Sequence, residues 1–481
     1  MNHTTGSCYH VDNGTGSDEN DGRSEDRAWR SIEKVNTVRL QDGDSVLFRG
    51  GQVFSGTLAI IGSNGVLVSS FGEGRATIYG GSAHGIVLER VGGVTVREIT
   101  VAGCGRKAGS DGSGMRIIDC ADVTIDGVEA RGFRLCGIEA RGGSGLRLYG
   151  IHSHHNGAAG IQVNRGADIA RDIIIRDCIV HDNAGDPKKL DNHSGNGIVV
   201  GGLDGCLIEY CRSYNNGYDM PRTGNGPVGI WGYAAHRLTI QYCISHDNKT
   251  SPGGMDGGGF DFDGGVTDSV LQYNLSYNNH GSGYLLCQYP GAAMWKNNRC
   301  AFNISINDGR TNHHAGIHLW AGDDGISDAE VSHNLIVNDR HAITGSSTEN
   351  LQGFVFKNNI LVSEETVISG PLRTLQFERN HVWSRRDKGI FTDGTGELLE
   401  FDAWKNADRD ASPSTGDPEV SLPPSLAELP TSPRELTRMP WGRLATGSPI
   451  RGTGLSATAD EHDLFGNPVG SRRSPGVDQA P

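Results

Sequence analysis

The sequence predicts an all-β solenoid, a stack of short coils that share one core. Two repeated phrases and a glycine-rich composition carry that prediction. The first phrase opens a strand: GIEAR at Gly137, GIQVN at Gly160, GIVVG at Gly197, GIWGY at Gly229, GFDFD at Gly259, GYLLC at Gly283 and GIHLW at Gly316, at spacings of 23, 37, 32, 30, 24 and 33 residues. A unit that repeats every 20–50 residues or so gains a core only by stacking on its neighbours. The second phrase closes a strand: IRDCIVHDN (Cys178), IEYCRSYNN (Cys211), IQYCISHDN (Cys243), LQYNLSYNN (Asn274), AFNISIND (Asn303), VSHNLIVND (Asn334) and FKNNILV (Asn359). Alternating β-branched residues that end in Asn, Asp or His mark a strand and then a turn. One Cys or Asn recurs per repeat, so these residues should stack as a ladder whose amides bond each other. The 71 Gly in 481 residues exceed the usual ~7%. Positive φ at tight corners is the property expected of them.

The elements follow in chain order. Residues 1–50 read as an N-terminal cap, in which Ala28–Val35 can form a short helix with Trp29, Ile32 and Val35 on one side. Residues 51–395 read as the coil. Residues 396–481 lose the closing phrase and gain prolines (Pro413, Pro418, Pro423, Pro424, Pro430, Pro433), which indicates an extended C-terminal tail packed on the solenoid. The net charge of −14 and the lack of a basic patch argue against a nucleic-acid partner. They also mildly disfavour a polyanionic substrate. Ten Cys without CxxC or zinc-type spacing read as packed thiols. The start MNHTTGSCYH has no apolar signal region and no apolar stretch is long enough to span a bilayer, so no membrane partner is expected. The compartment stays open: cytoplasmic, or secreted with the signal removed. The sequons at Asn274 and Asn303 sit on inward ladder positions.

The opening YHVDNGTGSDENDGRSEDRAWRSIEKVN, the repeats, and the late phrases LATGSPIRGTG and HDLFGNPVG are similar to those of the pectin-lyase-like superfamily. The chain resembles its members over about residues 8–400. That resemblance implies a right-handed parallel β-helix. It does not imply one activity, because the superfamily holds glycoside hydrolases, polysaccharide lyases, epimerases and non-enzymatic adhesins or tailspikes.

Strand alternation then picks out one face. The residue after each opening Gly is apolar and faces in, so the next residue and the one two beyond face out. The first outward column reads Glu139, Gln162, Val199, Trp231, Asp261, Leu285, His318. The second reads Arg141, Asn164, Gly201, Tyr233, Asp263, Cys287, Trp320. Three aromatics, two carboxylates and a His fall within four coils, and all are expected to be exposed. Three successive connections are long (AGDPKKLDNHSGN, GYDMPRTGNGPV, KTSPGGMDGG) and should wall this face, as functional loops on a rigid scaffold do.

Asp261 and Asp263 are the candidate catalytic pair, with His318 as a residue that donates to a sugar or tunes an Asp. Residues i and i+2 on one strand face have Cβ atoms roughly 6.5–7 Å apart, which suits either glycosidase geometry. Two close carboxylates also push their pKa values apart, leaving one as general acid. A calcium site or a solvated pair are the alternatives for the same residues. Trp231, Tyr233 and Trp320 are candidate sugar-stacking platforms. Gln162, Gln288, His193 and Asp256 are candidate substrate ligands, with Asp191, Tyr289, Arg310 and His314 as further loop residues. The reading favoured is a glycoside hydrolase acting on an oligo- or polysaccharide with no cofactor and no metal. A lyase or epimerase acting on a uronic-acid polysaccharide with Ca²⁺ is the alternative, with Lys188 or Lys189 reaching inward and Glu139 with Asp residues holding the ion. The polygalacturonase motifs GHG and RIK are absent. A non-catalytic glycan-binding solenoid would use the same aromatics without the Asp pair.

Overall fold

A computed structural model describes residues 6–322, 325–347, 350–372, 374–407, 409–455, 462–470 and 473–480. The chain is a right-handed parallel β-helix. It divides into two compact units. The N-terminal unit comprises Met1–Leu207, Ser213–Pro227 and Ser251–Gly254; the C-terminal unit comprises Ile208–Arg212, Val228–Thr250 and Met255–Pro481.

In each unit, strands from successive coils pair in parallel and in register. In the N-terminal unit Ile86, Met115, Ile138, Ile161 and Ile198 form one inward row. In the C-terminal unit Phe260, Tyr284, Ile317, Ile343, Ile368 and Phe391 form another. These residues are fully buried or within about 1% of it. Phe260 and Tyr284 stack with ring centroids 5.3 Å apart, and the Tyr284 hydroxyl donates to the Ile304 carbonyl at 2.9 Å. The same apolar position one coil on is what gives each coil its partner.

The ladders form as amide chains. Asn274 Nδ2 donates to Asn303 Oδ1 at 3.0 Å, Asn303 to Asn334 at 3.1 Å, Asn334 to Asn359 at 2.9 Å and Asn359 to Asn380 at 2.9 Å. Cys211 and Cys243 hold the same position earlier in the unit, and the Cys243 amide donates to Asn274 Oδ1 at 2.9 Å. All ten cysteines are free thiols. A second ladder runs through the last residue of the closing phrase: Asn156, Asn183 and Asn216 in the N-terminal unit, and Asn248, Asn279 and Asp308 in the C-terminal unit.

Positive φ falls on many glycines, as expected, among them the corner residues Gly127 (φ 61°) and Gly150 (φ 57°), but not on the opening ones. In other coils the equivalent left-handed corner is made by a non-glycine residue placed just before a ladder residue, such as Tyr242 (φ 50°), Tyr273 (φ 58°), Phe302 (φ 54°) and His333 (φ 54°). Each such corner costs roughly 1–2 kcal/mol, and the ladder amide that follows pins it. The opening glycines are required by packing instead. A Cβ on Gly137 would sit 2.0 Å from Ser153 Oγ, and one on Gly259 2.2 Å from Ser276 Oγ.

The N-terminal helix is shorter than expected. It spans Ile32–Asn36, because the Ser31 side chain accepts from the Lys34 amide and caps it there. Ile32 and Val35 are buried as expected, but Trp29 lies in an extended segment bridged to Val11 and stacks on Tyr9 at 4.6 Å. At the other end the tail packs on one face of the C-terminal unit. Leu429, Leu436, Met439, Leu444, Ile450, Leu464 and Val477 join one buried cluster with Leu275, Ile304, Leu335 and Ile360.

Candidate active site

The strand Gly258–Phe262 places Phe260 and Phe262 in the core and turns Asp261 to the opposite side. Asp261 pairs with Trp231 on one neighbour and Leu285 on the other; Leu285 pairs with His318, and His318 with Thr344. In the second column Cys287 pairs with Trp320, and Trp320 with Ser346. Asp263 lies one residue past its strand and donates its amide to the Gly232 carbonyl at 2.9 Å.

This face is covered, which corrects the expected exposure. Trp231 is 4% exposed, Asp261 3% and His318 6%; Tyr233, Asp263 and Trp320 are half-buried. Alternation determines which side of a strand a side chain takes, but not what lies over that side. Two segments of the same unit lie against parts of this face. The first is the turn at 289–292: a Cβ on Gly264 would meet Ala292 Cβ at 2.4 Å and Tyr289 Cε1 at 2.8 Å. The second is the connection at 309–314, where His313 stacks flat on His318 at 4.2 Å. His313 Nε2 stands 3.7 Å from Asp256 Oδ1, and Asn312 Nδ2 donates to the Asp256 carbonyl at 3.0 Å. The loop lengths do not single out either segment.

Cys287 joins the two carboxylates. Its thiol donates to Asp263 Oδ1 at 3.0 Å and lies 3.7 Å from Asp261 Oδ1. One ligand atom from each of the three residues falls within 4.8 Å of the others. Burial pushes Asp261 well above the ordinary carboxylate range, and the charges of Asp263 and Asp256 add to it. Burial raises Asp263 to about 6, against the opposing bonds from the Cys287 thiol and the Gly264 amide. Burial, with Asp261 and Asp263 beside it, also drives the Cys287 thiol up. The group therefore holds at least one proton near neutral pH.

His318 is fully engaged. Its Nδ1 lies 2.8 Å from Thr344 Oγ1 and its Nε2 3.1 Å from Ser346 Oγ. Thr344 Oγ1 donates to the His313 carbonyl at 2.8 Å, so it accepts from His318 Nδ1–H and leaves Nε2 as acceptor. Burial, then His313, holds His318 well below the ordinary histidine value, so it is neutral. Gln288 is fully buried, with Nε2 3.4 Å from the Ala292 carbonyl, and braces the turn at 289–292 from beneath. That corrects its reading as a substrate ligand, because its Nε2 is engaged by the Ala292 carbonyl. Asp256 joins the carboxylates through its charge.

Gln162 and His193 belong to the N-terminal unit. Gln162 accepts from the Cys136 thiol at 3.1 Å, and His193 Nδ1 lies 3.0 Å from Asn196 Nδ2. Burial, then Arg222 and Lys189, lowers His193 to about 4. Glu139 is also in that unit and is engaged by the Ser113 hydroxyl at 2.6 Å and by Arg141 at 2.8 Å. Cys287 was legible as a column residue, yet its type gave no reason to single it out. His313 had no signal beyond its place before an opening Gly.

A family model described as right handed beta helix region matches residues 64–187. Pectate lyase L of Paenibacillus polymyxa (strain SC2) is 28% identical over 193 residues, a match covering 36% of this chain and 40% of the lyase. The chain thus spans less than half the length of that curated relative. Among solved structures, the complex of XylC with xylose superposes with a TM-score of 0.54 at 10% identity over 98% of both chains. The selenomethionine derivative of the GH136 lacto-N-biosidase from Eubacterium ramulus gives 0.50 at 16% identity, over 75% of this chain and 67% of that one. At these identities the structural likeness is one of fold.

Proposed function

We propose that this chain is a carbohydrate-active enzyme that hydrolyses a glycosidic bond with Asp261 and Asp263. The observation that carries the reading is the pair itself: two carboxylates two residues apart, brought close around one thiol, with both proton affinities raised. Asp261, the more strongly raised, holds a proton at neutral pH and donates it to the leaving glycosidic oxygen. Asp263 is mostly ionised above about pH 6 and attacks the anomeric carbon. The resulting glycosyl ester is then hydrolysed by water that Asp261, now a base, deprotonates. Atoms within 4.8 Å suit a retaining pair, at ~5–5.5 Å, better than the ~6.5–9.5 Å gap that an inverting water needs. Tyr289, 38% exposed beside Asp263, and the exposed Met255 and Met294 offer apolar surface for a sugar.

The match to a pectate lyase favours a second reading, β-elimination on a uronic-acid polymer. Calcium would need a shell of six to eight oxygens, and a thiol, a soft ligand, sits inside this carboxylate group. The donor set does not fit calcium, so no step is derived through it. One experiment separates the readings. Neutral and uronic oligosaccharides are incubated with the wild type, Asp261→Asn and Asp263→Asn, each with and without EDTA. Products are followed by proton NMR. New reducing ends with retained anomeric configuration, insensitive to EDTA and lost in both variants, are expected. Unsaturated uronate ends that vanish with EDTA would replace the hydrolase by the lyase.

A further inference from the structure

A second group of ionisable side chains stands on the N-terminal unit and takes no part in the chemistry above. The strands Glu129–Arg131, His152–His154 and Ile179–His181 are neighbours in one sheet, with Glu129 beside His152 and His154 beside His181. Alternation turns these side chains away from the core, whose inward residues here are Ala130, Ser153 and Val180. Across two coils, His152 Nε2 lies 2.8 Å from His181 Nε2. Both residues are partly exposed.

The proton positions in this pair are fixed from one side. His181 Nδ1 lies 2.6 Å from Asp182 Oδ2, and Asp182 Oδ1 is itself held by the Asn215 side-chain amide. A carboxylate at that distance keeps the proton on Nδ1 and leaves the lone pair on Nε2. The C-terminal unit contains the same corner, His-Asp-Asn, with His246 Nδ1 2.6 Å from Asp247 Oδ2. There the Arg212 guanidinium donates to His246 Nε2 at 3.1 Å. A guanidinium has no acceptor, so Nε2 is the accepting atom in that arrangement. At His181 the arginine is replaced by an imidazole, which can itself move its proton to Nδ1 and present a second lone pair.

We infer that His152 and His181 form a two-histidine site, through their Nε2 atoms, for a borderline divalent transition metal such as Zn²⁺ or Cu²⁺. Zn–N bonds of about 2.0–2.1 Å in tetrahedral geometry put two ligating nitrogens about 3.3 Å apart. The present separation of 2.8 Å opens to that with a small ring rotation. No net proton is released, since His152 only changes tautomer. Asp182 supplies the outer carboxylate that orients a metal-binding histidine. Neighbouring His154 is turned to other partners, with Nε2 3.3 Å from Glu129 Oε1 and Nδ1 2.7 Å from His155 Nδ1. Water completes the shell.

The test is a titration of the full chain, free of any histidine tag, with Zn²⁺ against a chromophoric chelator and with Cu²⁺ followed by EPR. One equivalent bound with nitrogen hyperfine structure is expected, with Cu²⁺ tighter than Zn²⁺ and no competition from Ca²⁺. His152→Ala should weaken uptake at least tenfold, and Asp182→Asn should weaken it with stoichiometry unchanged. His181→Ala could disturb the corner, so His152→Gln, which leaves that corner intact, serves as the second variant. Absence of saturable uptake would overturn the site. So would uptake that survives both His152 variants, or uptake that is lost instead in Cys287→Ser.

Discussion

Asp261 and Asp263 share one side of one strand, and burial decides what each can do there. Asp261 is almost wholly enclosed and Asp263 half so, so one stays protonated where the other ionises. Asp261→Asn and Asp263→Asn should each cut turnover by ~10²–10⁴-fold, the usual worth of a positioned proton-transfer group. Neither should lower the melting temperature, because a buried carboxyl with raised pKa favours the neutral form that Asn imitates. Near-wild-type rates in both variants would remove the pair from the chemistry. The pH profile follows from the same groups. Activity should rise along an acidic limb near pH 6 as Asp263 loses its proton, and fall at higher pH as the dyad loses its second. These limbs belong to the coupled pair. Rate measurements across pH 4–9 or so would show a flat acidic side if Asp263 were not involved. At this scale the sequence was legible for side and register: alternation set Asp261 beside Trp231 and Leu285. It was not legible for exposure, since alternation does not say what lies over a face, and the connection that carries His313 onto His318 has no marked length or composition.

At the scale of the strand and corner, glycines and ladder residues do separate jobs. The repeated Gly was visible in the sequence, yet its reason was not, because the side chain it makes room for comes from the second strand further along the chain. Gly137→Ala would drive a methyl onto Ser153 Oγ and toward Asn156 Nδ2. Overpacking of this kind costs about 1–3 kcal/mol. Adding Ser153→Ala should recover part of the loss, even though it removes the bond from Ser153 Oγ to the Gly160 carbonyl. Chemical denaturation of the two variants checks this, and an unchanged midpoint for Gly137→Ala would refute the packing account. Asp308 ends the second ladder, accepting from the Asn279 amide at 3.0 Å and from the Ser305 hydroxyl at 2.7 Å. Burial raises it to about 6, above the unfolded value of ~3.9. A raised carboxyl binds more protons folded than unfolded, so its contribution is fully present below about pH 4 and is lost as pH climbs through about 6. The loss is about 2–3 kcal/mol. Asp308→Asn should match the wild type near pH 4 and exceed it near pH 8. A stability difference that does not grow with pH would mean Asp308 ionises as easily as a free carboxyl.

At the scale of the molecule, the fold was legible because stacking forces repetition. Seven opening glycines and seven closing phrases align every coil they mark. The tail was legible only as a change of character: its prolines announce an irregular path, and no periodicity says what that path covers. The structure supplies the contact. In the C-terminal unit, strand residues that alternate out of the core, such as Leu275, Ile304 and Leu335, are fully or nearly fully buried. They share a cluster with Leu436, Leu444 and Leu464 of the tail. A sheet face this apolar would otherwise meet water, so the tail acts as part of the core and not as an appendage. Leu436 is fully buried, whereas Leu398, at the start of the same stretch, is 53% exposed. Leu436→Ala should therefore cost about 2–5 kcal/mol through lost burial and the cavity left behind. Leu398→Ala, chemically the same change, should stay within about 0.5 kcal/mol. Melting both variants side by side holds the side-chain chemistry constant and varies only the place in the fold. If both melt with the wild type, the tail contributes nothing to the unit beneath it. If Leu436→Ala alone falls, the tail is held by its apolar face, and removing the residues beyond 415 or so should expose the strands it covers and make the chain self-associate more than the wild type does.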